Sequence, residues 1–191
     1  DLHSLRRRQR QMCIRDRDMA SKTQLAFARQ VYAAAVVAKT EIDPAFVTAQ
    51  AMLETGWGAR VIGKANLFGI TKGSQWDGDI VMVKTHEYFK TPKQKFKEPD
   101  RIVSVCKVAG KNLWYYTVMR AFKDFDSVGD CLKEHERLFQ KPGYKDAWPC
   151  RKDPFKFAQK ICDGVGCKYA TDPTYLTTIT SIIKTIRRKC V

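Results

Sequence analysis

Ala51-Met52-Leu53-Glu54-Thr55-Gly56-Trp57-Gly58 ends an apolar, helix-forming run with a glutamate and then turns the chain sharply. The two glycines provide the backbone freedom that a helix end requires. Met52, Leu53 and Trp57 are predicted to surround the carboxyl with apolar surface, and such desolvation raises a carboxyl pKa. A carboxylic acid that stays protonated near neutral pH can serve as a general acid. Glu54 is therefore a candidate catalytic acid; the alternative is a surface glutamate in the last turn of an amphipathic helix.

The composition is that of a folded, basic chain. Its 191 residues are 44% hydrophobic and include four Trp, which suits one domain with a proper core. The formal net charge is +15; residues 1–18 hold six Arg and three Asp (+3), so 29 basic and 17 acidic residues leave +12 for the rest. A basic surface favours polyanions such as nucleic acid, anionic lipid or the teichoic acids and peptide carboxylates of a bacterial wall. Charge alone does not choose among these partners, and it is also compatible with solubility and no partner.

Residues 1–18 differ from the rest of the chain because they lack hydrophobic periodicity. We interpret them as an extraneous or unstructured basic leader, with a nucleic-acid or membrane arm as the functional alternative. Residues 19–191 are predicted to form a single catalytic domain. The longest apolar run, 31–38, is too short to span a membrane and does not resemble a signal peptide. We expect a protein made in the cytoplasm that reaches its site of action by release or delivery.

The cysteines and histidines do not form a metal-binding pattern. Cys162 and Cys167 lack the spacing of a zinc knuckle, and the three histidines (His3, His86 and His135) are scattered. No metal, cofactor or histidine-based catalysis is predicted. The pattern leaves open whether the C-terminal cysteines form one or two disulfides or remain free thiols; these are Cys150, Cys162, Cys167 and Cys190.

Hydrophobic periodicity predicts helices at both ends of the chain and strands between them. Helical spacing covers 21–40, and β-rich alternation covers 80–88 and a hairpin over 101–108 and 113–119. Four acidic start signals precede further helices: Asp43-Pro44, Asp126-Ser127, Asp153-Pro154 and Asp172-Pro173. The fold class is thus α+β, mainly α, with a helical lobe and a small antiparallel β-lobe of about three strands.

Six motifs in order resemble the flagellar-type and autolysin-type β-N-acetylglucosaminidases of glycoside hydrolase family 73. The resemblance extends over about residues 22–190 and implies a lysozyme-like fold with a substrate cleft between the two lobes. It also implies cleavage of the N-acetylglucosaminyl-β-1,4-N-acetylmuramyl bond of peptidoglycan. The motifs are Ala51–Gly58, Asn66-x-Phe68-Gly69-Ile70, Trp76-x-Gly78, Thr85-x-Glu87, Phe122-x-x-Phe125-Asp126-Ser127 and Tyr169-Ala170-Thr171-Asp172-Pro173-x-Tyr175.

Carried over by position, the resemblance gives three catalytic candidates. Glu54 matches the general acid, and Glu87 matches a second glutamate on the β-lobe that activates water in some members and is dispensable in others. Tyr169 matches a tyrosine near the acid that orients substrate or stabilises developing charge. The structural alternatives are a solvated edge-strand glutamate for Glu87 and a core tyrosine for Tyr169.

Four further residues are substrate-binding candidates. Trp57, Phe68 and Trp76 would form apolar walls, since aromatic faces suit the apolar faces of sugar rings. Asn66 joins them, although it is expected to bond backbone near the acid. Asp172 is as consistent with a helix cap as with chemistry.

The expected partners are peptidoglycan glycan strands and the anionic cell-wall surface, with no specific nucleic acid, and the protein is expected to be a monomer. The missing export signal suits a compact phage-type endolysin or a delivered effector. Within enzymes, a muramidase or a lytic transglycosylase on the same fold is the alternative. Outside them, the alternative is a non-catalytic basic module that binds wall or nucleic acid.

Overall fold

The computed structural model describes residues 20–163, 169–170 and 172–191. In chain order these residues form two helices, α1 and α2, then three strands, β1 to β3, and then three further helices, α3 to α5. Two short 3-10 turns lie between α3 and α4, at Pro142–Tyr144 and Trp148–Cys150. The predicted mainly helical α+β fold class is confirmed.

Helices α1 (Lys22–Val37) and α2 (Pro44–Thr55) begin where their capping residues predict. Ser21 accepts a hydrogen bond from the Gln24 amide, and the Gln24 side chain accepts one from the Ser21 amide, which completes a capping box. Asp43 caps α2 by accepting hydrogen bonds from the first-turn amides, just before a proline whose missing N–H costs nothing there. Helix α2 is buried along most of its length, so it forms the centre of the helical lobe.

Strands β1 (Ile80–Phe89), β2 (Arg101–Lys107) and β3 (Trp114–Lys123) form an antiparallel sheet in the order β1-β3-β2. The long central strand β3 has only buried or half-buried side chains, whereas every residue of the edge strand β2 is exposed. The register pairs Val83 with Arg120 and Glu87 with Tyr116. Directly paired residues share a face, so Glu87 and Arg120 lie on the same side of the sheet.

Helices α3 (Val128–Phe139), α4 (Pro154–Asp163) and α5 (Tyr175–Lys189) close the helical lobe. Their apolar faces bury side chains around α2, and the ring of Phe46 on α2 packs edge-on against Phe139 and Phe157. The predicted apolar stripe on the last helix is buried: Tyr175, Ile179, Ile182, Ile183 and Ile186.

The start of the last helix differs from the sequence prediction, and the cysteines and the leader can be compared with it only in part. The last helix begins at Tyr175, after the Asp172-Pro173 signal, because Asp172 accepts the amide and the hydroxyl of Thr174 in a turn that precedes the helix. The described cysteines are free thiols: Cys106, Cys131, Cys150, Cys162 and Cys190. The leader at 1–18 and Cys167 lie outside the described residues.

Candidate active site

The end of α2 is built to expose one side chain. The amide of Gly56 donates the last helical hydrogen bond, to the Met52 carbonyl, and the left-handed conformation of Gly56 (φ 60°) stops the helix there. Thr55 Oγ1 accepts the Gly58 amide at 2.8 Å and donates to the Ala51 carbonyl, which holds the turn. A Cβ at Gly58 (φ 85°) would lie 2.6 Å from the Phe27 ring of α1, so only glycine fits. The turn is therefore fixed from both sides.

Glu54 lies at this helix end with its side chain exposed, and the tyrosines Tyr169 and Tyr175 lie within its electrostatic reach. Burial raises the pKa of the Tyr169 phenol well above its usual value, and the negative charge of Glu54 raises it further. Burial and Glu54 act in the same direction on the pKa of Tyr175, while its hydroxyl accepts a hydrogen bond from Gln50 at 2.8 Å. Both tyrosines are therefore neutral phenols beside the carboxyl at neutral pH.

The expectation that Met52 shields the Glu54 carboxyl is wrong. Met52 is fully buried in the core while Glu54 is exposed. Two steps along a helix rotate the side-chain direction by about 200°, so Met52 and Glu54 point to nearly opposite sides of α2. The polar and aromatic surroundings of the carboxyl come from the C-terminal tyrosines instead.

Asn66 ties the segment after α2 to the sheet. Its amide group donates to the carbonyls of Ile70 and Lys123, both at 2.9 Å, and its oxygen accepts the Ile70 amide at 3.0 Å. The side chain is almost completely buried, so all of this bonding capacity goes to backbone. We therefore treat Asn66 as a scaffold residue rather than a sugar ligand.

Glu87 lies on β1, on the face of the sheet that turns towards the segment following Glu54. Two side chains of that face approach this segment: a Cβ at Gly63 would lie 2.9 Å from Val81, and one at Gly69 would lie 3.9 Å from Phe122. The Glu87 carboxylate is half-buried and forms an ion pair with Arg120. The register pairs Glu87 with Tyr116, four positions from Arg120, so the two long side chains reach each other along the face that they share.

The three aromatic candidates lie at the border between core and solvent. Trp57 is half-buried at a positive φ of 60°, which is a strained position for a bulky residue, directly after the helix end. Phe68 stacks on His135 with ring centroids 3.7 Å apart, so one face of its ring is already covered. Trp76 carries the Lys123 ammonium over its ring at 4.6 Å and packs against Phe125. Their contact with sugar remains a prediction.

Sequence reasoning missed two polar residues that support the site. Arg120, the partner of Glu87, falls on the inward-facing side of β3, where the alternation of Tyr116, Val118 and Phe122 predicts an apolar residue. Gln50, the partner of Tyr175, similarly interrupts the apolar core face of α2. A polar residue at a core position is the signal that could have identified both.

Metal clusters and membrane-spanning helices are both absent from residues 20–163, 169–170 and 172–191. In these ranges no group of three or more His, Cys, Asp or Glu side chains is placed to hold a metal ion. Across the same part of the chain no helix has both the length and the apolar character needed to cross a bilayer.

A helical lobe with an exposed glutamate at a helix end, two neutral tyrosines near that glutamate and a small antiparallel sheet suit a lysozyme-like glycoside hydrolase. Residues 30–188 match the Glucosaminidase family, described as mannosyl-glycoprotein endo-beta-N-acetylglucosaminidase. The chain belongs to this family, and the resemblance to family 73 is confirmed.

Three relatives are 29–32% identical to the chain over the segments that match. It is 30% identical over 141 residues to the peptidoglycan hydrolase FlgJ of Vibrio parahaemolyticus, which covers 70% of this chain and 37% of the relative. It is 32% identical over 138 residues to the autolysin of Enterococcus faecalis (71% of this chain, 16% of the relative). It is 29% identical over 169 residues to a probable N-acetylmuramidase of Lactococcus lactis subsp. cremoris (86% and 34%). The match to each of these relatives spans well under half of the relative's length.

Solved structures confirm the fold. The C-terminally truncated glycoside hydrolase domain of Salmonella typhimurium FlgJ superposes with a TM-score of 0.62 at 21% identity, covering 86% of this chain and 98% of that domain. The catalytic domain of the Listeria monocytogenes autolysin Auto gives 0.62 at 24% identity, covering 95% and 94%.

Proposed function

We propose that the chain hydrolyses bacterial peptidoglycan at the N-acetylglucosaminyl-β-1,4-N-acetylmuramyl bond, with Glu54 as general acid. The observation that carries the proposal is the placement of an exposed carboxyl at the fixed end of α2 beside the phenols of Tyr169 and Tyr175. Membership of the glucosaminidase family and the names of the relatives, peptidoglycan hydrolase and autolysin, support the substrate.

In the first step Glu54 donates its proton to the glycosidic oxygen while the bond from that oxygen to the anomeric carbon of N-acetylglucosamine breaks. The muramyl residue leaves with a free 4-hydroxyl, and Glu54 becomes a carboxylate. Tyr169 remains a phenol because its pKa is raised, so it can donate a hydrogen bond to the substrate or to the carboxylate that forms. General acid catalysis of this kind contributes about 10²- to 10⁴-fold to the rate.

Two routes complete the reaction. In the inverting route Glu87 takes a proton from a water that attacks the anomeric carbon, which requires the two carboxyls to be roughly 6.5–9.5 Å apart. In the other route the substrate's own 2-acetamido oxygen attacks, and water then opens the cyclic intermediate with net retention. Both routes leave N-acetylglucosamine at the new reducing end.

The basic surface is proposed to hold the enzyme on the anionic wall. The segment from Lys90 to Lys111 carries seven Lys or Arg and only two acidic residues, and its cations are exposed. One of the two acids, Asp100, is paired with Arg120, so the outward charge is more positive still. Wall polymers with repeated phosphates or carboxylates would be attracted to such a patch.

Mass analysis of a peptidoglycan digest tests the bond that is cut. A reducing-end N-acetylglucosamine supports the proposal. The second candidate is a muramidase, which the match to the probable N-acetylmuramidase over 169 residues favours; it would leave a reducing N-acetylmuramic acid. An anhydro end would identify a lytic transglycosylase, and a digest without new ends would identify a non-catalytic wall-binding module.

A further inference from the structure

Arg120 lies between two carboxylates, Glu87 and Asp100, on the side of the sheet that carries Val81 and Phe122. Its Nη1 pairs with Glu87 Oε1, and its Nε lies 2.8 Å from Asp100 Oδ2, an ion-pair contact without the alignment of a hydrogen bond. The side chains of Arg120, Glu87 and Asp100 are 25%, 30% and 18% exposed, so water screens these contacts only in part. One guanidinium therefore connects a candidate catalytic residue to a non-catalytic carboxylate.

The backbone anchors the far end of this group. Asp100 Oδ1 accepts the Ala121 amide at 2.7 Å, so its carboxylate is held on β3 next to Arg120 itself. The ring of Phe96 lies 5.6 Å from the guanidinium carbon and covers the arginine from the side of the loop before β2. The guanidinium thus has a set position before it meets Glu87, and a planar fork can hold two partners in fixed directions where an ammonium cannot.

We propose that Arg120 is a positioning residue that acts on the reaction through Glu87, with Asp100 holding the arginine in place. This inference rests on the proposed function, because it requires Glu87 to contribute to turnover. A free glutamate on a strand samples several rotamers, and fixing it reduces the entropy lost on reaching the reactive geometry. The pairing with Arg120 engages Glu87 Oε1 and not Oε2.

A double-mutant cycle tests the proposal on soluble glycan strands. Arg120→Met is expected to lower kcat about ten- to a hundredfold with little change in KM, the order of loss that follows from misplacing a reacting group. In a Glu87→Gln background the same substitution is expected to cost less than about twofold, because the residue it positions no longer acts. Asp100→Asn, which keeps an acceptor for the Ala121 amide, is expected to show the same dependence on Glu87 and replaces Arg120→Met if that variant does not fold.

Arg151→Met is the matched control. Arg151 is 27% exposed, pairs with Glu41 and lies over the Trp148 ring, so it resembles Arg120 in burial and in type of contact. The kcat of the Arg151→Met enzyme is expected to equal that of the wild type. Equal losses from Arg120→Met in both backgrounds would overturn the inference, as would wild-type kcat in Glu87→Gln. An active Glu54→Gln enzyme, or a digest without new reducing-end N-acetylglucosamine, would instead refute the proposed function itself.

Discussion

Glu54 is exposed, although Leu53 before it is half-buried and Thr55 after it is buried. Individual residues around the helix end account for this difference in exposure. Thr55, the next residue, is fully buried and uses its hydroxyl to hold the turn, so the helix end cannot rotate the glutamate into the core. Tyr169 and Tyr175 come from the other end of the domain and place neutral hydroxyls near the carboxyl. The environment of Glu54 is therefore produced by tertiary contacts, whereas Glu54 itself could be singled out from the sequence as a candidate.

The variant Tyr169→Phe removes the hydroxyl and keeps the ring, so it isolates the contribution of the hydroxyl. The ring packs at 5.5 Å from Phe139 and would stay, while the hydrogen-bond donor beside Glu54 would be lost. We expect kcat to fall on the order of tenfold or more, as for the loss of a donor near developing charge, with the melting temperature little changed. Tyr88→Phe removes a hydroxyl from the sheet and serves as the control. Equal activity of the two variants would contradict a role for the Tyr169 hydroxyl.

His135 makes stability depend on pH. It is 2% exposed, stacks on Phe68, and neither ring nitrogen has a hydrogen-bond partner within the described ranges. Burial lowers its pKa to about 3. The unfolded chain binds this proton near its ordinary pKa of about 6.5, so the contribution of His135 to stability is complete above that pH and is lost as the pH falls towards 3.

Between pH 7 and pH 5 this linkage is expected to remove about 2 kcal/mol from the free energy of unfolding. Urea melts at both pH values, compared with those of His135→Leu, measure it. The variant should lose less stability over the same interval because it has nothing to protonate at this position. A pH dependence as steep as that of the wild type would show that other groups are responsible.

At the scale of elements, the connection after α2 depends on close backbone approach. An alanine at position 58 would have a positive φ, and its Cβ would lie 2.6 Å from the Phe27 ring. Gly73 serves as the comparison, because its φ is also positive (65°) but an added Cβ would meet nothing within 4 Å. We expect Gly58→Ala to destabilise the domain by about 2–4 kcal/mol, and Gly73→Ala by only the conformational part, roughly 1 kcal/mol. Equal losses in thermal melts would contradict the close packing of α1 against the turn.

The elements themselves could be predicted because their signals are local. Ser21, Asp43 and Ser127 cap the helices that follow them, and the apolar residues of β3 mark it as a buried strand. The links between elements could not be predicted. Nothing in the local sequence says that the Asn66 amide reaches Lys123 or that Arg120 meets both Glu87 and Asp100, because these contacts join positions 57, 33 and 20 residues apart.

At the scale of the whole molecule, the net charge is +15, and a group of exposed lysines on the β-lobe contributes to it. Binding to purified cell walls should weaken as salt rises, because the screening length falls from about 10 Å at 0.1 M to about 3 Å at 1 M. Co-sedimentation at increasing sodium chloride measures this. Binding that is indifferent to salt would contradict an electrostatic attachment.

The β-lobe patch can be tested against an equal change of charge elsewhere. Replacing Lys93, Lys95 and Lys97 together by Gln is expected to reduce wall binding several-fold at low salt. The control is the same replacement of three exposed lysines of the helical lobe: Lys152, Lys156 and Lys160. Equal losses from the two triple variants would mean that total charge matters and the β-lobe does not.

Turnover of purified peptidoglycan by Glu54→Gln is the decisive measurement for the proposed chemistry. Gln is nearly isosteric with Glu but cannot give up a proton as an acid, so the fold should be retained while the leaving group is no longer protonated. We predict a fall in kcat of at least about 10²-fold, with a thermal melt close to that of the wild type. Near-normal release of reducing ends by a folded Glu54→Gln protein would contradict the assignment of Glu54 as the general acid.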